Sequence, residues 1–178
     1  MGGRDWAKVV TKAKKSIDDL ADKLVEIYAQ REITEGFAFL PDQPWQQEFE
    51  DAFPYEETED QLQATAEIKA SMEKPIPMDR LLAGDVGFGK TEVAMRAIFK
   101  AVMSGKQVAV LVPTTVLAQQ HFQTFWNRFA PFGVKVDVLN RFRSTAEKKQ
   151  VLKGVEDGSI DVLIGTHSLL NKKVVFKD

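Results

Sequence analysis

The 178-residue chain contains no cysteine and only two histidines, His121 and His167. The lack of cysteine excludes a disulfide framework, a thiolate metal site and a thiol nucleophile. No run of 18 apolar residues occurs, which excludes a transmembrane helix, and the first residues lack the apolar core of a signal peptide. We therefore expect a soluble, cytoplasmic protein without a membrane partner.

Positive charge is absent from residues 32–68, which contain neither lysine nor arginine. Residues 1–78 hold 9 Lys/Arg and 17 Asp/Glu, a net charge of −8, whereas residues 79–178 hold 15 and 9, a net charge of +6. This asymmetry indicates that the second half meets a polyanion. The acidic stretch itself is most often a solvated surface, which is what we expect here.

The first two segments of the chain are predicted to be helical. Apolar residues alternate at spacings of four and three from Trp6 to Ile27, which predicts an amphipathic helix within a segment 1–40. This helix either packs against its own domain or binds a neighbouring domain that lies outside the chain. In an acidic segment 41–78, a short helix precedes a second one that begins with a Thr58–Gln61 capping box.

Strands alternate with helices in the third segment, 79–178. Apolar runs predict four strands, at 81–83, 107–112, 134–138 and 160–165, and the segments between them are helical in character. Strands that alternate with helices of this length predict βαβ units and a parallel sheet, and therefore an α/β fold.

The strongest chemical signal is a P-loop at residues 84–91, Gly-Asp-Val-Gly-Phe-Gly-Lys-Thr, which matches G-x-x-x-x-G-K-[ST]. Glycines allow successive backbone amides to point at phosphate oxygens, and the following helix presents its positive end to the same anion. We expect Lys90 to reach the β- and γ-phosphates and the Thr91 hydroxyl to ligate Mg²⁺. The alternative is a glycine-rich turn without a ligand. The candidate nucleotide-binding residues of the loop are Gly84, Asp85, Val86, Gly87, Phe88, Gly89, Lys90 and Thr91.

Three further blocks resemble motifs of superfamily 2 helicases, in the expected order around the P-loop as motif I. FPYEETEDQ at 53–61 resembles the Q motif, PTTVLAQQH at 113–121 motif Ia, and IGTHSLL at 164–170 motif Ic. Residues 77–97 and 112–121 and the Arg141–Ser144 segment are more closely similar to bacterial transcription-repair coupling factors, as are the two ends of the N-terminal helix. RecG-type branch-migration helicases share the motor blocks but not that helix.

The resemblance implies a P-loop RecA-like fold, preceded by a helical connector, that uses ATP and Mg²⁺. Lys90 and Thr91 take the catalytic positions, and Gln61 hydrogen-bonds the adenine edge with Phe53 or a nearby aromatic ring against its face. It also implies contacts to the backbone of double-stranded DNA. The residues assigned to those contacts are Thr114, Thr115, Gln120, His121, Arg141, Arg143, Thr166 and His167. RNA polymerase and excision-repair proteins would bind parts of the parent protein outside this chain.

Simpler roles stay open for several of these residues. Thr114 could only cap a helix, both histidines could be structural, and Arg141 and Arg143 could be surface charges. Aromatic residues at spacings of i, i+3, i+4 and i+7 from Phe122 to Phe129 indicate core packing rather than base stacking.

No Asp-Glu pair follows the P-loop, although the resemblance implies that the next element is a further strand followed by a D-E-x-x box. We therefore expect an incomplete motor domain, a fragment of a translocase that displaces stalled RNA polymerase, with little ATP hydrolysis of its own. One alternative is a non-catalytic nucleotide-binding interaction module, and another is a RecG-type helicase fragment. A small-molecule kinase is less favoured because nothing resembles an acceptor site or a lid.

Overall fold

The computed structural model describes residues 3–177, which divide into two compact units. The first unit comprises the residues up to Ala38 together with Ser71–Asp79, and the second comprises Phe39–Ala70 and the residues from Arg80 onward. Among the described residues, no helix is long and apolar enough to cross a membrane.

The first unit is dominated by one long helix, α1 (Gly3–Ile33), as the apolar spacing predicts. Much of its apolar stripe is solvent-exposed, including Trp6 and Ile17. The chain leaving the helix meets the returning segment at Gly36, whose amide donates to the carbonyl of Pro75 at 3.0 Å. A Cβ at this glycine would lie 2.6 Å from backbone, so only glycine permits this close approach.

Two of the remaining helices begin at capping boxes. In the Thr58–Gln61 capping box each residue's side chain accepts the other's backbone amide, and Ser144 forms a second capping box with Glu147. The helices are α2 (Pro44–Asp51), α3 (Glu59–Met72), α4 (Lys90–Met103), α5 (Thr115–Phe129) and α6 (Thr145–Glu156), with short 3-10 turns at Ala130–Phe132 and His167–Leu170.

The sheet has three parallel strands, β1 (Val108–Leu111), β2 (Val136–Leu139) and β3 (Val162–Gly165), in the order β1-β3-β2. Val162 pairs with Val108 on one side and Val136 on the other, and every residue of the central strand is buried. Helices flank this sheet, which confirms the predicted α/β class.

The strand predicted at 81–83 is wrong. This apolar run pairs with none of the three strands, and Leu81 is 89% exposed. A strand is stabilised by hydrogen bonds to a neighbouring strand, and the run finds no such neighbour among the described residues. Residues 81–83 therefore form an irregular segment that leads into the P-loop.

Aromatic stacking holds α2, α4 and α5 together. The ring of Phe49 stacks on that of Phe99 at 4.4 Å and on that of Phe129 at 5.2 Å, and all three side chains are fully buried. Phe125 is buried beside them, whereas Trp126 is half exposed, so the predicted aromatic stripe is core along most of its length.

The acidic segment is not simply solvated, which corrects the expectation from its composition. Asp42 accepts hydrogen bonds from Lys69 and Lys100, at 2.7 and 2.8 Å, and Glu57 accepts one from Arg96 at 2.8 Å. Lys100 and Arg96 are each 2% exposed. Because a buried cation is costly without a partner, these carboxylates are what allows α4 to bury its charges.

Candidate functional site

The P-loop adopts a backbone that requires glycine at two positions. Gly87 has φ of 87° and Gly89 has φ of 70°, both in the left-handed region that other residues avoid. Lys90 opens α4, and its Nζ donates to the carbonyl oxygens of Gly84 and Asp85 at 2.6 Å each. The loop therefore holds its lysine ammonium against its own backbone, next to the helix N-terminus.

Gln61 connects the Q-motif block to this loop, a contact that the sequence did not predict. Its Oε1 accepts the Thr58 amide at 2.9 Å, and its Nε2 donates to the carbonyl of Phe88 at 3.0 Å. A Cβ on Gly89 would lie only 2.3 Å from that Nε2. The capping-box pattern predicted the bond with the Thr58 amide, but nothing in the local sequence predicts the bond to Phe88. Gln61 thus fastens the loop to the start of α3.

A cavity of about 500 Å³ lies beside the loop and is called the P-loop cavity below. Phe53 and Tyr55 form an aromatic wall, with ring centroids 5.5 Å apart in an edge-to-face arrangement. The predicted residues that line it are Phe53, Gln61, Gly87, Phe88, Gly89 and Thr91. Gly84 and Lys90 line a smaller adjoining cavity of about 100 Å³. Val86 is 98% exposed, and neither it nor Asp85 lines either cavity.

A buried ion network anchors the first turns of α4 at the P-loop cavity, which Glu92 lines. Glu92 is 5% exposed and accepts from Arg128 at 2.8 Å and from Arg96 at 3.2 Å. Burial alone lowers the pKa of Arg96, but its bonds to Glu57 and Glu92 outweigh burial and raise the pKa above its ordinary value. The Arg96 bond likewise lowers the pKa of Glu57. Charged side chains thus fix the helix that carries Lys90 and Thr91.

A second cavity, of about 430 Å³, lies where β2 and β3 end and α5 begins, and we call it the basic cavity. It brings together four of the predicted DNA-contacting residues: Thr115, Arg141, Thr166 and His167. Because the carboxyl ends of parallel strands share one edge of a sheet, this is where such folds bind ligands. Lys148 and Lys173 also line the cavity, although no motif had singled them out.

The other four predicted DNA contacts do not line the basic cavity. Thr114 caps α5 by accepting the Leu117 amide at 3.2 Å, and the ring of His121 lies edge-on to that of Phe125 at 5.8 Å. Gln120 is exposed on α5. Arg143 is paired with two carboxylates, those of Asp137 at 2.6 Å and Glu147 at 3.5 Å.

Comparisons with known proteins agree with this geometry. Residues 58–178 match the DEAD/DEAH box helicase family. Over all 178 residues the chain is 54% identical to the transcription-repair-coupling factor of Bacillus subtilis and 57% identical to that of Mycobacterium bovis. It spans 15% and 14% of those two relatives, respectively.

A solved structure of RecG bound to a three-way DNA junction superposes with a TM-score of 0.81 and 38% identity, and the match covers 86% of this chain and 21% of that one. These matches confirm the RecA-like α/β fold and the resemblance to transcription-repair coupling factors. The chain belongs to the DEAD/DEAH box helicase family.

Proposed function

We propose that this chain is the ATP- and DNA-binding part of an ATP-dependent double-stranded DNA translocase. The observation that carries the proposal is that one α/β unit holds both a P-loop with an aromatic cavity beside it and a basic cavity at the carboxyl edge of its sheet. Within the chain we assign residues 1–40 to a connector, 41–78 to the adenine side, and 79–178 to the motor lobe.

The P-loop cavity fits a nucleoside triphosphate with its Mg²⁺. The amides around Gly87 and Gly89 and the ammonium of Lys90 would hold the phosphates, and the Thr91 hydroxyl would ligate the ion. When bound, ATP supplies the free energy of phosphoryl transfer and Mg²⁺ neutralises charge on its phosphates. Lys90 can turn from its two carbonyl partners to the phosphates, because an ammonium has three rotatable donors.

Adenine recognition is proposed for Gln61 and Phe53. Each end of the Gln61 amide makes one hydrogen bond to protein backbone, but the oxygen has a second lone pair and the nitrogen a second hydrogen. The amide therefore retains one acceptor and one donor for the adenine edge. Phe53 lines the same cavity, where its ring can lie against the base.

DNA contacts are proposed for the motif Ia and Ic residues and the two arginines: Thr114, Thr115, Gln120, His121, Arg141, Arg143, Thr166 and His167. Hydroxyls, amides and cations contact phosphates without distinguishing bases, as a motor that moves over any sequence requires. Arg141, Thr115, Thr166 and His167 already share one cavity. Arg143 would have to leave its carboxylate partners first.

For the parent protein we propose displacement of stalled RNA polymerase and coupling to excision repair, in the cytoplasm. The support is the name shared by relatives that are more than half identical to this chain throughout its length. For the chain alone we infer little ATP hydrolysis, because the sequence contains no Asp-Glu pair after the P-loop and phosphoryl transfer depends on positioned charges.

Calorimetric titration with Mg·ATP tests the nucleotide site. Lys90→Ala removes the ammonium at the loop and should abolish measurable binding, whereas Lys106→Ala, an equal charge change beyond the end of α4, should leave it intact. Unchanged affinity in the Lys90 variant would remove the P-loop assignment. A protein extended through both motor lobes should show DNA-stimulated hydrolysis, and its absence would argue for the non-catalytic module instead.

A RecG-type activity is the second candidate, favoured by the structural similarity to RecG on a three-way junction. The two candidates differ in the DNA they prefer. Comparing hydrolysis by the extended protein on linear duplex and on a three-way junction separates them, because a branch-migration enzyme requires the junction and a duplex translocase does not.

A further inference from the structure

The basic cavity contains two lysines, Lys148 and Lys173, to which no helicase motif gives a role. We propose that both lysines contact the sugar-phosphate backbone of duplex DNA, so that the cavity binds successive phosphates of one strand. This inference rests on the proposed DNA binding of the chain and extends it to residues outside the motifs.

The charge of the cavity supports a polyanionic ligand. Its titratable lining residues are Arg141, Lys148, His167 and Lys173, and no carboxylate lines it. Among the side chains that the structure describes, no carboxylate lies within salt-bridge distance of Lys148, Lys173 or Arg141. Three permanent cations that share one concave surface without counter-charge repel one another and focus a positive field on it. A chain of phosphates relieves that repulsion.

An unpartnered hydroxyl in the same cavity also favours a hydrogen-bonding ligand. Thr166 is only 9% exposed and lines the cavity, and its side chain makes no hydrogen bond to any other described residue. Its hydroxyl is therefore available to donate a hydrogen bond to a ligand in the cavity. A phosphate oxygen is an acceptor for the hydroxyl as well as a counter-ion for the lysines, so one ligand satisfies both.

The placement of the lysines is specific, because each belongs to a pair of adjacent lysines of which only one member lines the cavity. Lys148 lines it and Lys149 does not, and Lys173 lines it and Lys172 does not. Lys148 is half-buried on α6, whereas Lys149 is exposed on the same helix. The chain therefore provides a control with identical charge one position away from each proposed contact.

The test measures the dissociation constant of the 178-residue chain for a short fluorescein-labelled duplex between about 50 and 200 mM salt. The double variant Lys148→Ala/Lys173→Ala should weaken binding and lower the slope of log K against log salt by about 1 for each lysine. The control Lys149→Ala/Lys172→Ala carries the same charge change and should keep the wild-type slope. Equal effects in both double variants would overturn the proposal, because the lysines would then act only through net charge.

Two further variants separate this inference from the proposed function. If the wild-type chain does not bind duplex, or if Arg141→Ala changes nothing, the proposed DNA site itself fails. If Arg141→Ala weakens binding and the Lys148/Lys173 variant does not, only the present inference fails. Thr166→Val should weaken binding without changing the salt slope, because it removes a neutral donor; unchanged affinity contradicts the role of the hydroxyl. Melting temperatures of all variants show whether each is folded.

Discussion

Replacing Gln61 by methionine tests whether this residue organises the P-loop in addition to any contact with adenine. Methionine keeps the length of the side chain but can neither accept the Thr58 amide nor donate to the carbonyl of Phe88, and only the second bond, of 3.0 Å, reaches the loop. A hydrogen bond of ordinary length contributes about 1 kcal/mol, which is roughly fivefold in affinity. We therefore expect about fivefold weaker binding of any ligand that needs the ordered loop.

The assay uses inorganic Mg·tripolyphosphate beside Mg·ATP, because the first ligand has no base. If Gln61 organises the loop, the variant lowers the affinity for both ligands by a similar factor. Thr58→Val is the control for loss of the capping box, since it removes the hydroxyl that accepts the Gln61 amide at 3.3 Å but leaves the bond to Phe88 in place. Weaker ATP binding with unchanged tripolyphosphate binding would refute the reasoning and leave adenine recognition as the sole role of the side chain.

Three further substitutions probe the surroundings of the loop. Gly89→Ala places a Cβ 2.3 Å from the Gln61 amide nitrogen at φ of 70°, so it should lower the free energy of unfolding in urea by about 1–2 kcal/mol. In the control Gly84→Ala the new Cβ meets nothing closer than 3.7 Å, so the loss of unfolding free energy should be smaller. Glu92→Gln removes the buried charge between two guanidinium groups and should cost about 3 kcal/mol, unlike the exposed Glu48→Gln; equal unfolding free energies would contradict this. Burial raises the pKa of Asp42, but its two lysine partners outweigh burial and hold the pKa below the ordinary 3.8. The stability that this carboxylate contributes is therefore complete above pH 3.8 and is lost as the pH falls through the lowered pKa. In Asp42→Asn the free energy of unfolding in urea should therefore fall less steeply with decreasing pH than in the wild-type chain.

Local signals in the sequence predicted most of the helices. The capping box at Thr58 and the glycine-rich turn before Lys90 depend on residues within a few positions of one another, so they can be recognised without knowledge of the fold. The parallel sheet followed from the alternation of strand and helix patterns. The strand predicted at 81–83 failed because pairing depends on a distant neighbour that its own sequence cannot specify.

The candidate site was predictable only in part, for the same reason. The P-loop motif located Lys90 and Thr91, but the bond from Gln61 to Phe88 joins residues 27 positions apart. Lys148 lies in an ordinary polar helix, and only the meeting of α6 with the ends of β2 and β3 places it in the basic cavity. The pairing of Arg143 with Asp137 is likewise a consequence of the folded arrangement.

Contacts within the second unit explain why charge is distributed unevenly along the sequence. Carboxylates of the acidic segment, Asp42 and Glu57, neutralise Lys100 and Arg96, which α4 buries almost completely. Three cations that come later in the chain, Arg141, Lys148 and Lys173, line the basic cavity and have no such carboxylate partner among the described side chains. Opposite charges thus cancel around the helix that carries the P-loop and do not cancel at the edge of the sheet. The field at that edge therefore attracts a polyanion even though the chain as a whole carries a formal net charge of −2.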